Sequence, residues 1–241
     1  MTIRQIVLTL IASVPLAAQD PLVFICREQV KPGRMAKVVQ IEEAAARFCA
    51  QANCPNPYLA LTSLTGPDEA WWINGFDSVD TMEKVRQSYA SNTEITQRLN
   101  DVAEQKADLV FPSVNLVARF HPEMSSYTTQ IAPRLFLISV VQVRPGHVAA
   151  FRDIRTRVKA ILEHAGRPQW VYQVTSGTKD VTFLVMTPAH TMQEIQTTPQ
   201  PDDAGNDIIV SSETRLYAVS PTMSMPSEAW KEADPDFWKR P

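Results

Sequence analysis

Five side chains stand out in runs that otherwise read as apolar strands: Arg27, Trp72, Asn74, Arg119 and His121. Residues two apart on a strand face the same way, so Trp72 and Asn74 share one face, as do Arg119 and His121. An indole offers a flat apolar wall. An amide, a guanidinium or an imidazole beside it can hydrogen-bond or polarise a small aromatic molecule. Together they are the candidate ligand-binding cluster. Arg27 and Glu28 point to opposite faces of their strand, so only one can join, and Arg27 is taken. The plainer alternative is that Trp72 fills a core and His121 caps a strand end.

Beyond these residues the chemistry is sparse. The sequence has no Gly-rich phosphate loop, HExxH, CxxC pair or nucleophile elbow. His147 and His190 fall at expected helix starts and His164 near a helix end, and no two histidines have metal-site spacing. No metal, cofactor or catalytic residue is therefore assigned. The partner expected is a small apolar or aromatic ligand.

The elements that would hold these residues occur twice. Val30-Lys31-Pro32-Gly33 returns as Val143-Arg144-Pro145-Gly146, each after a dense apolar run, Leu22 to Cys26 and Leu135 to Val141. Each Pro-Gly opens a helix, with stripes Val38, Ile41, Ala45, Phe48 and Phe151, Ile154, Val158, Ile161. Asn53 and Gly166 occupy matching helix ends and tolerate the left-handed conformation. Strand pairs follow at Pro57–Leu64 with Ala70–Phe76, and at Gln169–Val174 with Val181–Met186. Closing strands run over Val114–Phe120 and Thr214–Val219. The first copy alone has room for a longer second helix, through Ile95, Leu99 and Val102, capped by Ser91 or Asn92. The second copy has Pro199, Pro201 and Gly205 there, which is loop chemistry.

The ends and the charge set further bounds. Residues 1–18 read as a secretory signal peptide: a short positive start, the apolar run Ile6–Ala18, and small residues at Ala17-Ala18. The run is too short for a membrane span, and no later segment is long and apolar enough for one. Export, to a periplasmic or extracellular location, is the expectation. With a net charge of −3 and no basic stripe, nucleic acid is a poor partner. The mature chain divides into residues 20–127, 132–225 and a tail, 226–241. The tail carries Trp230, Phe237 and Trp238 among charges.

Strand-helix-strand-hairpin-strand-helix-strand order predicts an α+β fold of two tandem ferredoxin-like βαββαβ units. The open sheet faces would pack on one another as an intrachain barrel. With its openings Gln29-Val30-Lys31-Pro32-Gly33 and Gln142-Val143-Arg144-Pro145-Gly146, the chain resembles the dimeric α/β-barrel superfamily, in its antibiotic-biosynthesis-monooxygenase-like and NIPSNAP-like branches. The resemblance implies kinship with cofactor-independent monooxygenases and haem-handling proteins. Haem-degrading members use the residue types of Asn74, Trp72 and His121 inside the barrel.

Two finer expectations follow. Cys49 ends the first helix and Cys54 follows the turn at Asn53, so these two should pair as a disulfide, with Cys26 free. The site should also be lopsided. Matching the copies sets Arg27 against Val140, Glu28 against Val141, Trp72 against Phe183, Asn74 against Val185, Arg119 against Ala218 and His121 against Ser220. The first copy is the polar one, and the second reads as a filled, supporting half.

Overall fold

A computed structural model describes residues 21–126, 132–199 and 207–239. The expected signal peptide, the loop residues Pro201 and Gly205, and most of the linker lie outside the described residues. The elements run β1 (Leu22–Gln29), α1 (Met35–Gln51), β2 (Tyr58–Ser63), β3 (Glu69–Phe76), α2 (Val79–Ser91), α3 (Thr93–Lys106), β4 (Val114–Phe120), β5 (Leu135–Val143), α4 (Val148–His164), β6 (Trp170–Ser176), β7 (Thr182–Ala189), α5 (Met192–Gln196), β8 (Ile209–Val219), α6 (Glu228–Ala233) and α7 (Pro235–Trp238). The fold is α+β, with all eight strands in one closed antiparallel barrel ordered β1-β3-β2-β8-β5-β7-β6-β4. No helix among the described residues is long and apolar enough to cross a membrane.

The order explains how one chain closes the barrel. Strands β4-β1-β3-β2 are neighbours, and so are β8-β5-β7-β6. The pairs β2·β8 and β4·β6 join the two runs edge to edge. Strand alternation then decides which side chains enter the barrel. Ile25, Leu61, Trp71, Ala118, Ile138, Leu184 and Tyr217 form its buried core. An eight-strand barrel is just wide enough for such residues to fill it.

At one end the filling is polar. Glu69 accepts hydrogen bonds from Arg27 (2.6 Å), Arg215 (2.8 Å) and the Tyr217 hydroxyl (2.6 Å). Burial alone would raise the Glu69 pKa. The hydrogen bonds from Tyr217 and Arg27, with the Arg27 charge, outweigh it and hold the carboxyl below its usual range.

The helix signals are where the sequence puts them. Asn53 (φ 52°) and Gly166 (φ 63°) adopt the left-handed conformation that ends α1 and α4. Asn92 caps α3 by accepting from the Ile95 amide at 3.1 Å. Strand β8 is longer than the expected Thr214–Val219, because Ile209–Ala218 pairs along the whole of β5. The C-terminal tail is an ordered arm, with Trp238 buried in the barrel core cluster and Trp230 and Phe237 packed against it.

Gly177, in the turn after β6, has φ 103°, and a Cβ there would overlap the Asn115 carbonyl oxygen. Both the backbone angle and the close approach require glycine. Gly177→Ala should therefore destabilise the protein by about 2 kcal/mol, measured by urea unfolding.

Candidate functional site

The five candidate residues do not gather in one place. Arg27 points into the barrel, bonded to Glu69, with its guanidinium 4.9 Å from the Trp71 ring centroid. Trp72 and Asn74 lie together on the outer face of β3, beneath the helices. Arg119 shares that face of the sheet, one strand beyond β1, but is exposed. His121 sits past the end of β4, its Nδ1 2.8 Å from Glu123 and its ring 6.3 Å from Phe183.

Around Trp72 and Asn74 the structure opens a cavity of about 310 Å³ between the sheet and helices α1 and α3. Its aromatic walls are Trp72, Tyr58 and Tyr89, and Leu99 and Val102 of α3 form an apolar roof. Asn74 is at the edge, 3.4 Å from the Asn56 amide nitrogen. Cys26 and Cys49 also border the space. Burial pushes the Cys26 thiol up to about 11, and the Glu28 charge adds to this, so it stays protonated. Burial raises the Tyr58 and Tyr89 hydroxyls in the same sense.

The charged part of the cavity is a buried triad. Lys106 Nζ lies 2.7 Å from Glu28 and 2.5 Å from Glu42, and 4.5 Å from the Trp72 ring centroid. Ser113 donates to the other oxygen of Glu28 at 3.1 Å. All three ionisable groups are buried. Burial raises the Glu42 pKa, and the Glu28 charge adds to the rise. The Lys106 charge and hydrogen bond oppose it, as does a hydrogen bond from Trp72, yet the net direction is up. For Lys106 burial lowers the pKa, but the charges of Glu42 and Glu28 win and the ammonium is held more firmly. The result is a buried cation between two carboxylates, one of which, Glu42, holds a proton more tightly than an exposed glutamate does. Buried ionisable groups with specific partners in a cleft are a signature of functional sites. A second groove, lined by Glu28, Lys31, Lys106 and Ser113, lies on the far side of the ammonium.

Glu42 and Lys106 were missed by the sequence reading, although each carries a signal. Val38, Glu42, Ala45 and Cys49 advance by four, three and four, and so do Ile95, Leu99, Val102 and Lys106. Each charge occupies a place on its helix's apolar stripe.

The second half differs in the space that corresponds to this cavity. Sheet register sets Trp72 opposite Cys26 and Val185 opposite Ser139. With Cys26 matched to Ser139, the counterpart of Trp72 is Val185, not Phe183, and that of Asn74 is Thr187, not Val185. Both corrections keep the same face, because the slip is two residues. Beneath α4 the space is filled by Val141, Phe151, Phe183 and Val185, with the two phenyl rings 4.5 Å apart. Cys49 and Cys54 lie in one buried cluster, their sulfurs 2.6 Å apart and unbonded.

No protein-family model matches the sequence, and no curated protein sequence does either. Solved structures do match. A candidate monooxygenase from Fusobacterium nucleatum is 11% identical, covering 83% of this chain and 93% of that one, with a TM-score of 0.57. An anthrone oxidase-like protein is 12% identical over 85% of this chain and 92% of that one, at 0.58. Chlorite dismutase from Candidatus Nitrospira defluvii is 6% identical over 85% and 92%, at 0.53. At such identities the likeness is one of fold, the ferredoxin-like α+β fold expected from the sequence.

Removing Lys106 would leave two buried carboxylates without their cation. Lys106→Met should cost about 3–5 kcal/mol at pH 7. The cost should shrink on acidification, because a carboxyl with a raised folded-state pKa gives its stability at low pH and loses it as pH rises. Urea unfolding of parent and variant at pH 7 and near pH 4.5 measures the difference.

Proposed function

We propose that the protein is exported and binds a small aromatic molecule in the cavity between β3 and helices α1 and α3. The observation that carries this reading is the aromatic wall of Trp72, Tyr58 and Tyr89 beneath the buried Glu42–Lys106–Glu28 triad. A wholly apolar ligand would leave those charges unused, so the ligand has an acidic proton or a polarisable oxygen. The tandem duplication read from the sequence belongs to the same proposal. One copy, lengthened by α3, carries the site, and the other is packed solid beneath α4.

The triad favours a catalytic form of this reading, a cofactor-independent monooxygenase-like reaction. A general base works best with a pKa near the working pH, and burial moves Glu42 in that direction. Anthrones and hydroquinones are fitting substrates, being flat and acidic at one C–H or O–H. Glu42 takes that proton, Lys106 stabilises the anion, and Trp72 stacks on the ring. The electron-rich anion then reacts with dioxygen. For anthrone, oxygen enters at the deprotonated carbon to give anthraquinone, and the second oxygen atom leaves as water. Haem handling, the other form of that alternative, would draw on a different part of the molecule, since none of the four histidines lines this cavity.

Oxygen uptake with anthrone tests the catalytic form. Turnover should rise with pH through the Glu42 ionisation, and Glu42→Gln should lower it about 100-fold. Trp72→Ala should abolish aromatic binding by calorimetry. Phe183→Ala should cost about 3–5 kcal/mol of stability and leave binding intact. Binding without oxygen uptake would leave the protein a binder, and equal loss of binding from both variants would overturn the one-sided site.

Two further parts of the proposal concern compartment and thiols. Protein secreted by its native host should begin at Gln19 on N-terminal sequencing. After oxidation, peptide mass mapping should join Cys49 to Cys54 and leave Cys26 free, since the sulfurs already meet. A bridge to Cys26 or three free thiols would refute this pairing.

A further inference from the structure

The far end of the barrel from Glu69 is not filled. A second cavity, of about 210 Å³, lies between the inner ends of the strands and the C-terminal arm. Val23, Gly75, Phe136, Trp170 and Met186 form its floor and sides, and Trp230 of the arm borders it. No Asp, Glu, Lys, Arg or His is among the residues that line it.

Gly75 shows where the space comes from. It faces inward on β3, opposite Val23. Unlike Gly33, Gly66, Gly146, Gly166 and Gly177, it does not have a positive φ, so its backbone angle does not call for glycine. A Cβ built there meets nothing within 4 Å. Gly75 is itself exposed, so its missing side chain leaves the barrel mouth open beside the arm.

The arm that borders this space is held at both ends. At its root, Tyr58 and Met225 exchange backbone hydrogen bonds of 2.8 and 3.0 Å. Further on, Arg134 grips Asp234 through two bonds, of 2.8 and 3.0 Å, and lies 5.2 Å from the Phe237 ring centroid. The wall is therefore a fixed part of the cavity.

We propose that this barrel-mouth cavity is a second binding site, for a neutral apolar molecule of one or two small rings, separate from the charged cavity under α1 and α3. Apolar cavities of about 150 Å³ are large enough for benzene, and this one opens to solvent at Gly75, which gives a ligand its way in. The larger volume here suits toluene to indole. A charged ligand is excluded because nothing in the wall could pair with it. Tyr58 borders both cavities, so it is not a useful probe of either.

Toluene titrated into the full-length mature protein, followed by calorimetry, tests the proposal. One saturable site is expected. Its affinity should fall in steps through Gly75→Ala, Gly75→Val and Gly75→Leu, by at least tenfold at leucine, while melting temperature holds or rises. Gly75→Ala meets no neighbour and keeps the series readable if leucine disturbs folding. Ala103→Leu, which narrows the other cavity, should bind toluene as the parent does. No saturable binding, affinity indifferent to Gly75, or loss in Ala103→Leu would each overturn the second site and leave the first untouched.

Discussion

Closing eight strands into one barrel is the constraint on which the rest of this structure depends. Closure leaves no free sheet edge, but it leaves an interior only as wide as the side chains that line it. Trp71, Tyr217 and the aliphatic residues around them occupy that width. A polar residue admitted to it must find its partners there, and Arg27, Glu69, Arg215 and Tyr217 do so by bonding one another. Room for another molecule then exists in two kinds of place: at a barrel mouth, where the strands stop, and on the outer faces, where helices stand off the sheet.

The outer faces differ because one helix is present on one side only. Helix α3 adds an amphipathic roof over β1 and β3, and its last turn brings Lys106 down onto Trp72. Without that ammonium, Glu28 and Glu42 would be two buried like charges, a combination no fold keeps without a cation, a proton or a ligand. With it, the triad is still one positive charge short if both carboxylates are ionised. That deficit falls on Glu42, whose proton affinity is raised. The counterpart of Glu42 under α4 is Arg155, which reaches Gln169 and, through it, Thr187. There the polar side chains bond one another in a chain and the phenyl rings fill the remainder.

Much of this architecture was legible because it is written in local chemistry. Pro-Gly openings, the left-handed residues at Asn53 and Gly166, the Asn92 cap and the alternating strands each act within a few residues. The extra helix was legible as an amphipathic run. The site was legible only in part. Trp72 and Asn74 were found on a shared face, but period-two alternation does not say whether that face looks into the barrel or out to the helices. Arg119 and His121 were added because they alternate together on β4 and are polar where the second copy has Ala218 and Ser220, yet both lie at the end of β4 away from the helical roof. Glu42 and Lys106 were passed over because a charge on an apolar stripe usually marks the stripe's edge. Their pairing spans 64 residues of chain, a distance no local pattern records.

The two cysteines complete the argument about how the charged cavity is held open. Cys49 ends the buried face of α1 and borders the cavity, and Cys54 lies just after the turn. Asn53 makes the turn possible: its positive φ folds the chain back, so that the Cys54 amide bonds the Cys49 carbonyl at 2.9 Å. A continuous helix would hold the two side chains more than a turn apart. From there the chain passes through Asn56, bonded to Asn74, into Tyr58, one of the aromatic walls. A bond between these sulfurs would shorten the path by which the end of α1 loosens from β2. It would add little to global stability, because the loop it closes is small. Its effect would be local, fixing the distance between α1, which carries Glu42, and the strand that carries Tyr58.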